Sequence, residues 1–277
     1  MSRSAHFAAY LFGAALCVPS LALADTSISA AGSTALQPLV QAAAESYQAQ
    51  HSDVKISVTG GGSRTGIALV ASKSVDIGDS DILATGQDAL VDHKVAVVGF
   101  AVIANPDAGV TNLTKSQIQG IFSGQTSNWK DVGGKDLAIT VINRPSSSGT
   151  RAVFVKTLMA SAVLNQSTST EDATGTVVQK IKQTSGSISY ASFSGTHERD
   201  GKTKPGILEL SIDGAMPNDD DVTAGKYPFW SYEHMYTNGP PTTEESRFLA
   251  FLQSNSTLMH QTGYILVRDM KVTETDR

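Results

Sequence analysis

The chain has a single cysteine, Cys17, in 277 residues, and one thiol excludes an intramolecular disulfide. Aromatic residues make up only 6% and charged residues 17%, and the formal net charge is −5. Without a basic excess, a protein that grips a nucleic-acid backbone by bulk charge is excluded as a class. After the N-terminal segment, no apolar run approaches the roughly 20 residues that a membrane-spanning helix needs. His51, His93, His197, His234 and His260 are scattered without an H-x-x-x-H pair, so metal-ligand spacing is missing. Gly61 to Gly66 have the glycine spacing of a P-loop, but Ile67-Ala68 follow where Lys-Ser/Thr is required. Ser148 lacks the G-x-S-x-G elbow of a hydrolase nucleophile. No cofactor motif stands out. The 40% hydrophobic content is enough for a packed core of about two ordinary domains or one large one.

The first segment reads as an address. Arg3 precedes an apolar run from Phe7 to Val18, and Ala22-Leu23-Ala24 stands before Asp25. A basic start, an apolar middle and an A-x-A site predict a signal peptide over residues 1–24. Bulky Leu16 directly before Cys17 argues against lipidation, so the exported chain is expected to lack cysteine. The expected location is periplasmic or secreted.

The remainder alternates strand and helix patterns. Ser27–Ala31 reads as a strand and Ala35–Gln50 as a helix, with Leu36, Leu39, Val40, Ala43 and Tyr47 at helical spacing and Ser33 or Thr34 as its cap. Val54–Thr59 alternates as a half-buried strand, and Ile67–Ala71 is a helix after a glycine-rich turn. Asp76–Asp81 reads as a short strand leaving an acidic loop, and Val95–Ala104 as a buried strand. A helix over Thr114–Phe122, a strand over Leu137–Ile142 and a helix over Arg151–Met159 follow. The pattern then predicts a helix at Val177–Thr184 and a strand at Ser187–Tyr190. Loops are expected over 195–225 around a strand at Ile207–Ile212, with Asp219-Asp220-Asp221 as a solvated turn. Tyr232–Tyr236 reads as a strand and Glu244–Ser254 as a helix. This succession indicates an α/β fold with largely parallel sheets.

Three polar loops sit where strands feed helices: Gly32–Thr34, Gly62–Thr65 and Arg144–Thr150. Helix N-termini expose unpaired N–H groups and partial positive charge, and hydroxyl residues add donors. Each loop alone also reads as an ordinary cap and turn. Three in one chain, one of them carrying Arg144, point to a site for a small anion.

Ala31-Gly32-Ser33-Thr34, Gly62-Ser63, Asp76-Ile77-Gly78-Asp79-Ser80-Asp81 and Arg144-x-x-x-Ser148-Gly149-Thr150 resemble, in this order, the ligand loops of phosphate ABC transporter substrate-binding proteins, the PstS family. Asn128-Trp129 and Gly186-Ser187-Ile188-Ser189-Tyr190 add to the likeness, which runs from about residue 27 to 194. The resemblance implies a two-lobed periplasmic-binding-protein fold of type II, each lobe a mainly parallel sheet flanked by helices, joined by a two-segment hinge. Residues 25–100 and 230–277 would form one lobe and 101–229 the other, with crossings at Val97–Ala104 and near Tyr227–Asn238. It implies phosphate binding by Ser33, Thr34, the Ala35 N–H, Ser63, Asp81, Arg144, Ser148, Gly149 and Thr150. It also implies a membrane-embedded ABC permease as partner, a monomer, and no nucleic acid, cofactor, metal or catalytic residue. The family often places an acidic residue two positions after the binding arginine; here it is Ser146, so the group orienting Arg144 is left open. The 195–225 stretch has no family counterpart that we can name.

Asp81 has two readings. A carboxylate only accepts hydrogen bonds, so beside an anion it selects a ligand that carries a proton, as phosphate does and sulfate does not. Alternatively it caps a loop or pairs with Arg144 without touching ligand. At the level of the whole protein, a phosphate-ester hydrolase using the same pocket, a binder of another oxyanion and a sensor remain as alternatives.

Overall fold

The computed structural model describes residues 26–166 and 168–274. The predicted signal peptide and Cys17 lie outside the described residues.

Three short parallel strands form the first half of the sheet system. β1 (Thr26–Gly32) lies between β2 (Val54–Thr59) and β3 (Ile77–Ser80). Helices α1 (Gln37–Gln48) and α2 (Ser63–Ala71) make the crossovers, α1 through the buried stripe Leu39, Val40, Ala43, Ala44 and Tyr47. β4 (Leu90–Ala104) then leaves this half. β5 (Asn112–Leu113), α3 (Lys115–Ser123), β6 (Thr140–Asn143), α4 (Gly149–Phe154), β7 (Ser169–Thr170), α5 (Thr174–Gln183) and β8 (Ser187–Ser192) build the second half, where β6 pairs in parallel with β7 and β8. After α6 (Phe193–Thr196), β9 (Leu208–Ile212) and α7 (Asp219–Thr223), β10 (Trp230–Asn238) returns to the first half, and α8 (Thr243–Ser254) and α9 (Ser256–Thr262) close the chain.

Two strands connect the halves. β4 pairs with β10 from Leu90 to Gly99, then with β8 from Phe100 to Ala104. β10 inserts antiparallel between β3 and β4. Among the named strands every antiparallel pairing involves β4 or β10, so the parallel character belongs to the strands on either side. Phe100 N–H donates to the Phe229 carbonyl at 2.9 Å, and their rings lie 5.1 Å apart. Phe154 stacks on Tyr190 at 4.1 Å and meets Phe229 edge-on at 5.6 Å. Such ring pairs add about 0.5–1.5 kcal/mol each beyond their area burial, which fixes the crossing.

Several sequence expectations are adjusted. Ser33 does bond the turn that leads into α1, its Oγ accepting from Ala35 and Leu36 N–H at 3.0 Å, but α1 itself starts at Gln37 and Thr34 is not a cap. β4 starts at Leu90 rather than Val95, because its half-exposed first turn of sequence pairs with β10 and needs no continuous apolar run. β6 starts at Thr140, and α4 starts at Gly149 and passes into a π-turn over Val155–Met159. Asp219-Asp220-Asp221 is a largely solvated turn as expected, and it forms the first turn of α7, capped by Asn218; acids favour that end of a helix dipole. The predicted cap of α3 is present as a full capping box, Thr114 with Gln117.

Candidate functional site

The carboxyl ends of β1, β2, β3 and β6 converge on Asp81. The tight turns there depend on glycine. Gly32 (φ 145°) runs against the Asp79 backbone, and a Cβ on Gly62 (φ 89°) would lie 2.7 Å from the Ser147 carbonyl oxygen across the junction of the halves. Arg64 N–H donates to that same Ser147 oxygen at 3.1 Å.

Asp81 is 2% exposed and gathers three of the expected hydroxyl residues. Ser33 Oγ donates to its Oδ1, and Thr150 Oγ1 donates to its Oδ2 at 2.9 Å. Its own N–H donates to Ser63 Oγ at 2.9 Å. Thus α2 and α4, from opposite halves, meet at Asp81, Ser63 on its backbone N–H and Thr150 on its carboxyl. Burial raises the Asp81 pKa, opposed by the bonds from Ser33 and Thr150 and by the Arg144 charge.

Arg144 is 1% exposed. Its Nη2 donates to Thr34 Oγ1 at 3.1 Å and to the Asp172 carbonyl at 2.8 Å, while Nε and Nη1 have no protein acceptor. Arg151 Nη1 donates to the Arg144 carbonyl at 2.7 Å, and Tyr190 Oη braces Asn143 at 2.6 Å. These contacts take the orienting role open at Ser146, which is exposed. Burial lowers the Arg144 pKa, and the facing Tyr190, Asp81 and Asp172 raise it again.

The remaining expected residues are close by but differently employed. Ser148 Oγ accepts from Arg151 N–H at 3.2 Å and so caps α4. Gly149 and Thr150 open that helix, where backbone N–H groups lack intrahelical acceptors. Ala35 N–H is held by Ser33 Oγ at 3.0 Å rather than standing open, and its carbonyl accepts from Tyr264 Oη. Two cavities flank the cluster. One of about 330 Å³ reaches Asp81, Ser231 and Arg64, and one of about 440 Å³ is lined by Thr34, Thr174, Lys182 and Lys204.

Two carboxyl groups in this centre were not anticipated. Asp79 is 1% exposed and Glu233 0%; the Asp79 carboxyl oxygens have no hydrogen-bond partner, and Glu233 meets the Asp81 carboxyl. Burial, then the Asp81 charge, push Asp79 up to about 8. Burial, then Asp81 and Asp79, push Glu233 well above the usual carboxylate range. A carboxylate inside the aromatic-rich Trp230–Tyr236 strand was the available signal for Glu233. Asp79 stood inside the acidic motif itself.

A family model described as a PBP superfamily domain matches residues 19–256. The phosphate-binding protein PstS of Bacillus subtilis (strain 168) is 45% identical over 258 residues, covering 90% of this chain and 84% of that protein. The chain belongs to the PstS family. A PstS of Borreliella burgdorferi is 24% identical over 254 residues, with 87% and 90% covered. Among solved structures, a phosphate ABC transporter substrate-binding protein of Clostridium perfringens with bound phosphate superposes with a TM-score of 0.80 at 26% identity, covering 87% of this chain and all of that one. An ABC-type phosphate transport receptor of Vibrio cholerae gives 0.69 at 27% identity, with 86% and 99% covered. The family and these superpositions establish the two-lobed type II periplasmic-binding fold for the chain. Among the described residues, no helix is long and apolar enough to cross a membrane.

Proposed function

We propose that the chain is an extracytoplasmic solute-binding protein that captures inorganic phosphate between its two lobes and delivers it to a membrane-embedded ABC permease. One observation carries the reading: Arg144 Nε and Nη1 are buried donors without a protein acceptor, set among hydroxyls and beside a single hydrogen-bonded carboxyl, Asp81. The guanidinium fork matches two oxygens of a tetrahedral anion, and each charge-assisted bond is worth about 1.5–3 kcal/mol. The hydroxyls of Thr34, Ser63 and Ser148 and the N–H groups of Gly149 and Thr150 complete the donor shell; the Ser33 and Thr150 hydroxyls, which donate to Asp81, and Ala35 N–H, held by Ser33 Oγ, join it as those bonds are exchanged for the anion. Asp81 accepts a hydrogen bond from the protonated oxygen of phosphate and repels sulfate.

The lobes are residues 25–100 with 230–277, and 101–229. The change of pairing partner between Gly99 and Phe100 supports a hinge in β4, with β10 as its second segment. The protein works as a monomer, exported after cleavage near Ala24. The hydrolase alternative is disfavoured because the hydroxyls of Ser33, Ser63 and Thr150 engage Asp81 rather than a histidine base. Titration calorimetry with a panel of oxyanions tests the proposal. Phosphate binding with sulfate excluded is expected; absent phosphate binding, or equal binding of both, overturns it.

A further inference from the structure

Behind Asp81 lies a carboxyl pair that the anion-binding scheme does not use. β10 pairs antiparallel with β3 through Met235↔Asp79 and His234↔Ser80. Continuing that register sets Glu233 opposite Asp81. Residues two apart on a strand share a face, so Ser231, Glu233, Asp79 and Asp81 line the same side of the sheet. Ser231 and Asp81 border the 330 Å³ cavity. Asp79 and Glu233 are sealed; both Asp79 carboxyl oxygens lack partners, and Glu233 has another carboxyl, Asp81, as its side-chain partner, a contact that requires a proton between them.

The titratable groups interacting with Glu233 are Asp81 and Asp79, from β3 and its continuation, and the buried Tyr264 hydroxyl from the C-terminal segment. His234, Asp92 and Lys94 belong to the opposite face, where His234 Nδ1 contacts Asp92 at 2.8 Å and Lys94 sits over Tyr232. Arg144 is the cation that acts on Asp81. Three ionised carboxylates against one guanidinium, with an incoming anion, would leave a large uncompensated buried charge.

We infer that Asp79 and Glu233 are held as neutral acids behind the anion site, leaving Asp81 as its one acceptor carboxylate, and that their ionisation ejects the anion. Their raised pKa directions agree with this arrangement. The pair therefore sets the alkaline limit of binding. This inference rests on the phosphate reading above.

The test compares the wild type with Asp79→Asn, Glu233→Gln and the double variant. Amides are close in shape to neutral acids but cannot ionise. Inorganic phosphate is titrated calorimetrically from about pH 6 to 9.5, a range that spans the value of about 8 for Asp79. Infrared difference spectra of the ligand-free proteins at neutral pH serve as a second readout. The variants are expected to bind within about threefold of wild type at the acid end and to lose the alkaline decline, about tenfold or more per ionised group. Subtracting each variant's spectrum should isolate a protonated-carboxyl band. An unchanged alkaline limb in the double variant, or no protonated-carboxyl band, overturns the inference even if wild type binds phosphate. Absence of phosphate binding by wild type overturns the functional reading instead, and the infrared band then decides the protonation claim alone.

Discussion

Gly149, the first residue of α4, packs directly against Ser63, the first residue of α2. A Cβ at position 149 would lie 2.7 Å from Ser63 Cβ and 3.0 Å from Asp81 Cβ, and closer still to the Ser63 hydroxyl. Two helix N-termini from opposite halves of the sheet system can thus meet at Asp81 only because a side chain is missing at this point. Gly149→Ala should hold the lobes apart. The helix itself tolerates alanine well, so the fold should persist while phosphate affinity drops by about 100-fold, equivalent to about 2.7 kcal/mol. Calorimetry beside a thermal melt measures both; unchanged affinity would falsify the close-approach argument.

Asp81→Asn replaces an acceptor-only group with one that also donates. Phosphate binding should weaken by about tenfold, near the value of one charge-assisted bond, and sulfate should begin to bind. Competition titrations with both anions read this directly. Selectivity equal to wild type would return Asp81 to the role of a structural cap for Ser33 and Thr150.

Arg144→Lys keeps the charge and removes the fork. Lysine cannot bond Thr34, Asp172 and two anion oxygens at once, so phosphate affinity should fall by tenfold or more, by about 1.5 kcal/mol upward. The measurement is an isotherm at fixed pH and salt. Retained affinity would mean that Nε and Nη1 have another partner in the complex.

Asp79 also predicts a pH dependence of stability. Its folded-state pKa is raised to about 8 from an ordinary 3.8. The folded protein therefore holds this proton more tightly than the unfolded chain. That contribution is complete below about pH 4 and is lost as pH rises toward about 8. The limiting slope is about 1.4 kcal/mol per pH unit for one group. Asp79→Asn should flatten the slope, as urea unfolding at several pH values can establish. A slope equal to wild type in the variant would assign the dependence to other groups.

Local physics in the chain determined much of this protein. The 3.6-residue spacing of Leu39, Val40, Ala43 and Tyr47, the Thr114 and Gln117 capping box, and the alternation at Val54–Thr59 report which side of an element is buried, and each element formed where that pattern stands. The hydroxyl- and glycine-rich loops announced their donors for the same reason, since caps and turns are local. Only the tertiary structure decided what those donors face. The β4 strand begins before its apolar run because β10 covers it, and that pairing joins residues far apart in the chain. Ala35 N–H is occupied by Ser33, and Arg144 is held through Thr34, Asp172 and Arg151 instead of a neighbour two positions on. The placement of Glu233 behind Asp81 follows from strand register, a relation between distant segments. In the sequence that glutamate is only one more polar residue in a mixed, aromatic-rich strand. Its buried surroundings, created by folding, place it behind the anion centre, against Asp81 and Asp79.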